Sequence, residues 1–340
     1  MKSKNLFWYF LNAFIVISPF SAYAHVKWFT HNTDAHPVFF EDLNHPTFWF
    51  LLVISAVTLA LITYADRLLE KSIVYQKFNS YLESYANRAT LILRIFTGAS
   101  LLLSWQADSM IAPELKIESG LVGWYQFVLA LLLLFAKTTP LAGLGMMGLY
   151  LYAMMQYGFF HLLDYLVYAA IGYFFLVSYF RQNRILHTRV PALYIGLGFS
   201  LCWAALEKIS FPHWGMDVLR QQPGLTMGLP ADFFLMSCAF VELCLGYLLI
   251  IGVLQRPLAL TITLVFFITS SFFGKTEVIG HTILHGALLV FTVIGPGHYY
   301  PPPIEFHQRV GLRAAFVAIN FVIIIGVMAV AYHWMASKYL

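Results

Sequence analysis

Three titratable side chains recur at every fourth position of one apolar segment. Glu277, His281 and His285 are spaced so that an α-helix places them on one face, about 6 Å apart. A carboxylate and two imidazoles in this arrangement are suited to chelating a transition metal or to relaying protons. At a rise of about 1.5 Å per residue, His285 would lie near the middle of a bilayer core of about 30 Å.

Glu242 lies at a similar depth in another apolar segment. A charged carboxylate without a partner costs about 3 kcal/mol at the centre of a membrane-spanning helix, so Glu242 must be protonated, paired or facing a wet cavity. The imidazole of His285 lies at a similar depth and would satisfy it as a partner. Glu207 and Lys208 end a third apolar segment, and we expect them to line the entrance to the same site. The alternative is a polar clamp that only holds two helices together.

A second set of candidate ligands lies near the N-terminus. Residues 1–24 have two early lysines, an apolar run, and Ala22 and Ala24 before His25, which is the pattern of a cleaved signal peptide. Cleavage would give His25 a free α-amine beside its ring, and with His31 or His36 this set suits copper or zinc. The alternative reading of residues 25–46 is a solvated linker at the membrane interface.

The composition restricts the class of protein that can carry these residues. Of the 340 residues, 60% are hydrophobic and 11% are charged, and the mean hydropathy is +0.73. A soluble domain has about 25% charged residues, so this chain must lie largely in lipid. The net charge of +4 is dispersed rather than gathered into a patch, which argues against a nucleic-acid partner.

The hydropathy pattern predicts an all-α, polytopic bundle of ten transmembrane helices. Lys and Arg are more numerous on the side that holds residues 66–88, which predicts a bacterial inner-membrane protein with its mature N-terminus in the periplasm. Both the histidine-rich segment and the titratable groups of the apolar segments would then face the periplasm. The ten segments cover residues 47–64, 89–107, 121–136, 140–157, 159–180, 191–208, 231–253, 257–273, 277–295 and 312–333.

Two stretches of the chain look like copies of one four-helix unit. The turn around Pro140 recurs around Pro257, and the same offset aligns Asp164 with His281. An even number of helices in each copy predicts parallel repeats over residues 89–180 and 190–295. Residues 47–88 would add one helix and a cytoplasmic amphipathic segment, and residues 312–333 a final helix.

The second unit resembles the DoxX-like membrane family. The resemblance rests on the sequences Trp203-Ala-Ala-Leu-Glu-Lys208, Gly228-Leu-Pro230, Val241-Glu-Leu243 and Gln255-Arg-Pro-Leu-Ala259, and it covers about 100 residues. It implies a four-helix bundle in which Glu207, Lys208 and Glu242 are family positions. Since the family includes a subunit of thiosulfate:quinone oxidoreductase and components linked to thiol redox balance, it also implies a membrane redox role.

The histidines depart from that family's minimal pattern, which puts a thiosulfate role in doubt. The expectation is therefore a quinone-linked oxidoreductase, or a subunit of one, with a periplasm-facing His/Glu site. Its cofactors would be a quinone and a transition metal, copper, zinc or iron, and its partners the lipid bilayer and a periplasmic redox protein. The alternatives are a periplasmic protein that binds or transports copper or zinc, and a non-catalytic membrane subunit.

Overall fold

The computed structural model describes residues 26–30, 37–38, 45–180, 183–295 and 309–339. Within these residues the chain is helical, and the β-structure is confined to one isolated bridge between Ser109 and Lys116. The signal peptide predicted for residues 1–24, and the candidate ligands His25, His31 and His36, lie outside the described residues.

The helices follow one another with short connections. In chain order they are α1 (Pro46–Glu70), α2 (Ile73–Glu83), α3 (Ala89–Gln106), α4 (Gly120–Leu132), α5 (Thr139–Tyr157), α6 (Leu166–Val177), α7 (Arg189–Ser210), α8 (Pro212–Gln221), α9 (Ala231–Ile251), α10 (Gln255–Phe273), α11 (Lys275–Ile294) and α12 (Val310–Tyr339). Short helical turns occur at Val26–Trp28, Phe159–Leu162, Leu163–Tyr165 and Asn183–Leu186, among others.

Eight spans of the described chain are long and apolar enough to cross a membrane, which makes this a multi-pass membrane protein. They contain α1, α3, α6, α7, α9, α10, α11 and α12. A helix coincides with each of the ten predicted segments, but two of these helices, α4 and α5, are not among the eight candidate membrane spans. Helix α4 has 13 residues, which is short for a span of about 20, and glycines, tyrosines and Gln156 make α5 less apolar.

The centre of the bundle is formed by α7, α9 and α11. In their most apolar stretches, 72% of the residues of α7 and α9 and 78% of those of α11 are buried, against 17% for α12. Helix α7 packs on α6 and α9, and α11 packs on α3 and α10, while α1 and α12 pair at the periphery. Gly198 and Gly246 allow α7 and α9 to approach closely, because a Cβ at Gly198 would lie 2.6 Å from the Gly246 carbonyl oxygen.

Two arginines complete the helix ends on the side of the bundle away from Lys27. Arg94 Nε donates to the Leu133 carbonyl at 2.8 Å, just after α4, and Arg256 Nε donates to the Thr292 carbonyl at 2.9 Å near the end of α11. The last carbonyls of a helix have no partner within it, so these guanidinium groups satisfy them. We call this side the arginine end and the other side the Lys27 end.

Candidate functional site

The Lys27 end holds a buried cluster of one ammonium and three carboxylates. Lys27 Nζ forms an ion pair with Asp164, lies 3.2 Å from Glu207 Oε2, and lies 3.5 Å from Glu114 Oε1. The four residues come from the turn Val26–Trp28, the α3–α4 loop, the turn before α6 and the end of α7. Lys27 therefore ties four distant segments of the chain together.

The protonation of this cluster follows from its charges. Burial by itself would lower the pKa of Lys27, but the carboxylates of Asp164, Glu114 and Glu207 raise it above its usual value. Burial would raise the pKa of Glu114, but Lys27, His161 and the hydroxyl of Tyr165 lower it below its usual value. The side chains of Lys27 and Glu114 are therefore both charged over a wide pH range.

Trp28 packs between the two halves of the bundle. Its indole Nε1 donates to the Tyr165 hydroxyl at 2.9 Å, and that hydroxyl donates to Glu114 Oε1 at 2.6 Å. The indole also lies 5.7 Å from the His281 ring and directly over Gly280, where a Cβ would overlap it. A glycine at position 280 is therefore what allows the indole to pack on α11.

Further contacts fix residues 26–30, which we call the N-terminal strap. The Phe29 ring packs 4.6 Å from that of Phe273, and the Thr30 hydroxyl donates to Asp217 at 3.1 Å. Asp217 belongs to the amphipathic helix α8, which lies against the strap. The strap thus covers the Lys27 end between α8 and α11.

Glu242 finds its partner in Lys208. Lys208 Nζ donates to Glu242 Oε2 at 2.5 Å, and both side chains are at most 1% exposed. Neighbouring residues on an α-helix point about 100° apart, so Glu207 faces Lys27 while Lys208 faces α9. The predicted pairing of Glu242 with His285 is replaced by this ion pair, and Lys208 lies in the interior rather than at an entrance.

A cavity of about 20 Å³ lies beneath the strap. This volume holds about one water molecule. Asp164, Tyr165, Ser200 and Glu242 are among the residues that line it, and so is Trp28. Several titratable residues of the interior therefore border one small cavity next to the strap.

The third group of titratable residues lies on α11, as the spacing predicts. His281 Nδ1 lies 3.3 Å from Glu277 Oε1, and the His281 ring stacks on Phe266 at 4.1 Å. Neither ring nitrogen of His281 has a hydrogen-bond partner among the described residues, and the same holds for Nδ1 of His285. In the described part of the chain, no three His, Cys, Asp or Glu side chains are arranged to hold a metal ion.

The structure thus brings together some predicted site residues and adds others. Glu207, Lys208, Glu242, Glu277 and His281 all lie near the strap and its cavity. Four residues of this site were not predicted from the sequence: Lys27, Trp28, Glu114 and Tyr165. The sequence did contain one signal for Lys27. This lysine follows the predicted cleavage site, so it lies on the same side of the membrane as the predicted acids and can act as their counterion.

Comparison with known proteins adds no relative. The chain matches no protein-family model, no curated protein and no solved structure.

Proposed function

We propose that this chain is an inner-membrane protein of quinone-linked redox metabolism, acting as an oxidoreductase or as its membrane subunit. Its interior would pass protons between a quinone in the bilayer and the periplasm, while a periplasmic redox partner exchanges the electrons. The observation that carries the proposal is the buried Lys208–Glu242 ion pair beside a water-sized cavity, with further acids toward the strap.

The placement of the titratable groups supports proton transfer over a purely structural clamp. Asp164 and Glu242 share the wall of one cavity, and Glu207 approaches Lys27 from the same end of the bundle. A clamp needs one matched pair, whereas a relay needs several exchangeable groups within reach of a water. Titratable groups inside a membrane protein are costly and commonly mark such pathways.

The proposal includes the predicted duplication and orientation. The first helix of each proposed unit packs against the last helix of the other, since α3 contacts α11 and α7 contacts α6. That reciprocal pattern is what a twofold axis along the membrane normal produces. The resemblance of residues 190–295 to the DoxX-like family belongs to the same proposal, with the Lys27 end facing the periplasm.

Reconstitution in liposomes that contain ubiquinone or menaquinone tests the redox role. With an external reductant, ascorbate or a dithiol, we expect wild-type protein to accelerate quinone reduction. The variant Lys208→Met/Glu242→Gln removes both titratable groups without leaving one buried charge unpaired, and it should slow the reaction at least tenfold. Glu118→Gln, at an exposed carboxylate, should have no effect.

The double variant His281→Ala/His285→Ala should abolish quinone reduction while the circular dichroism spectrum stays helical. The proposal fails if this folded variant reduces quinone as fast as the wild type, or if wild-type protein gives no acceleration with either reductant. The metal alternatives remain predictions that depend on His25, His31 and His36, and elemental analysis of purified protein tests them directly.

A further inference from the structure

One stripe of α11 faces the bilayer. Val278, Thr282, His285 and Leu289 follow one another at helical spacing. Val278 is exposed, Thr282 and Leu289 are half-buried and His285 is 8% exposed, whereas the positions between them are buried. Val278 is 46% exposed, and α3 and α10 pack on the two sides of α11. His285 therefore lies on a lipid-facing seam between two neighbouring helices.

His285 is the polar group of that seam that needs a partner. It is the eleventh of the 20 residues of α11, about 15 Å along the helix, and so lies near the middle of the membrane. His285 is 8% exposed, and its Nδ1 is enclosed without a hydrogen-bond partner in the described chain, so Nε2 is the ring nitrogen that a ligand could reach. The hydroxyl of Thr282 differs, because it donates to the Val278 carbonyl at 2.6 Å. In hydrocarbon, a polar group without a partner costs free energy that a ligand can recover.

Aromatic rings flank His285. The Phe267 ring stacks on the imidazole with the ring centroids 4.4 Å apart, and Phe267 is 61% exposed to the bilayer. Phe266 meets His285 edge-on at 6.0 Å and separates it from the interior side, where Phe266 stacks on His281. A flat ring entering from the lipid can therefore meet both an aromatic face and a hydrogen-bonding nitrogen.

We propose that His285 and Phe267 form the binding site for the head ring of a lipid-soluble quinone, which enters from the bilayer between α3 and α10. The imidazole would hydrogen-bond a quinone carbonyl, and Phe267 would stack on the ring. The inference rests on the proposed quinone-linked function and gives that function its ligand site.

The depth of His285 in the membrane and the small size of the interior cavity favour a quinone ring as the ligand. A phospholipid headgroup stays at the membrane surface, and acyl chains offer no acceptor for a hydrogen bond at mid-membrane. The interior cavity of about 20 Å³ holds a water and is far too small for a quinone ring. A neutral ring with carbonyl oxygens that arrives through the lipid can use both the imidazole of His285 and the ring of Phe267.

Photolabelling tests the site without requiring turnover. Wild-type protein in nanodiscs is irradiated with an azido derivative of decylubiquinone, and the labelled peptides are mapped by mass spectrometry. We expect labels on α10 and α11 around Phe267 and His285, with competition by unmodified decylubiquinone. His285→Ala should weaken competition about tenfold, and Phe267→Ala should weaken it severalfold.

Two further variants make the result specific. His285→Gln restores a hydrogen-bonding side chain and should recover part of the affinity, whereas Val278→Ala, two turns away on the same stripe, should bind like the wild type. Saturable labelling elsewhere, or affinity unchanged in His285→Ala, overturns this site but leaves a quinone-linked function standing. Saturable labelling at His285 in a protein that reduces no quinone supports the site and overturns the redox proposal.

Discussion

Lys27 connects parts of the chain that are far apart in sequence. Its ammonium meets carboxylates from the α3–α4 loop, from the turn before α6 and from the end of α7. Its side chain is only 6% exposed, and it supplies positive charge to all three carboxylates, of which Glu114 also contacts His161. At the scale of single residues, the ion pairs of Lys27 attach the strap to three other segments of the chain.

The contribution of these ion pairs to the stability of the fold should depend on pH in a defined way. The pKa of Glu114 is lowered on folding, so its contribution is complete above about pH 4.3, the unfolded value, and declines as the pH falls further. The pKa of Lys27 is raised, so its contribution is complete below about pH 10.4 and declines as the pH rises through its folded pKa. Between these limits the stabilisation should be constant.

Comparing Lys27→Met with the wild type measures this effect. We expect the variant to lose about 3 kcal/mol of stability at pH 7, because it leaves buried carboxylates uncompensated. Thermal unfolding in detergent should give the largest difference at neutral and alkaline pH and a smaller one as the pH falls, because the uncompensated carboxylates of the variant take up protons. Lys116→Met, at an exposed lysine of the α3–α4 loop, should match the wild type. A difference that grows as the pH falls would contradict the assignment.

Some residue-level features could be predicted from sequence and others could not. The spacing of Glu277 and His281 places them together because both lie on one helix, where geometry is local. The partner of Glu242 could not be predicted, because it depends on the rotation of α7 against α9. That rotation turns Lys208 inward toward Glu242, whereas the sequence favoured His285 as the partner.

At the scale of elements, the strap and α11 form a matched pair. The Trp28 indole occupies the space that a side chain at position 280 would need, and Phe29 packs on Phe273 at the end of α10. The alternative reading of residues 25–46 as a solvated linker leaves Trp28 at the membrane interface, where tryptophan is enriched. Its glycine partner lies too far along the chain to be paired with it from sequence.

Gly280→Leu should detach the strap. The new side chain would overlap the indole, so we expect Trp28 to leave α11 and residues 26–30 to exchange amide hydrogen faster than in the wild type. The matched control is Gly326→Leu in α12, where a Cβ would meet no neighbouring atom within 4 Å. Hydrogen exchange with mass spectrometry makes the comparison, and equal exchange of the strap in both variants would refute the contact.

For the whole molecule, composition was sufficient to predict an all-helical membrane protein. A helix coincides with each of the ten apolar segments, but α4 and α5 are not among the eight helices that are long and apolar enough to cross a membrane. Hydropathy reports only burial from water, and it cannot separate helices that face lipid, such as α12, from those enclosed by protein, such as α11. That distinction requires the packing order of the bundle.

Cysteine labelling tests the proposed orientation. Gly224→Cys, near the Lys27 end, should react with a membrane-impermeant maleimide from the periplasmic side, and Lys77→Cys in α2 should react only after the membrane is opened. Both positions are exposed, whereas Cys202 and Cys238 are buried and Cys244 is half-buried in α9, so labelling in a Cys244→Ser background should give a low background reaction. The reverse pattern would place the Lys27 end in the cytoplasm and remove the periplasmic assignment.

The contact between Trp28 and Gly280 imposes an order on biosynthesis. The indole is translated about 250 residues before the glycine that receives it, which at 5–20 residues per second is a delay of roughly 10 to 50 s. During that interval the acids near Lys27 are made, but the strap has no complete surface on which to dock. The strap is therefore made early but is among the last segments to settle, and a ribosome that stalls before α11 leaves it open to proteases.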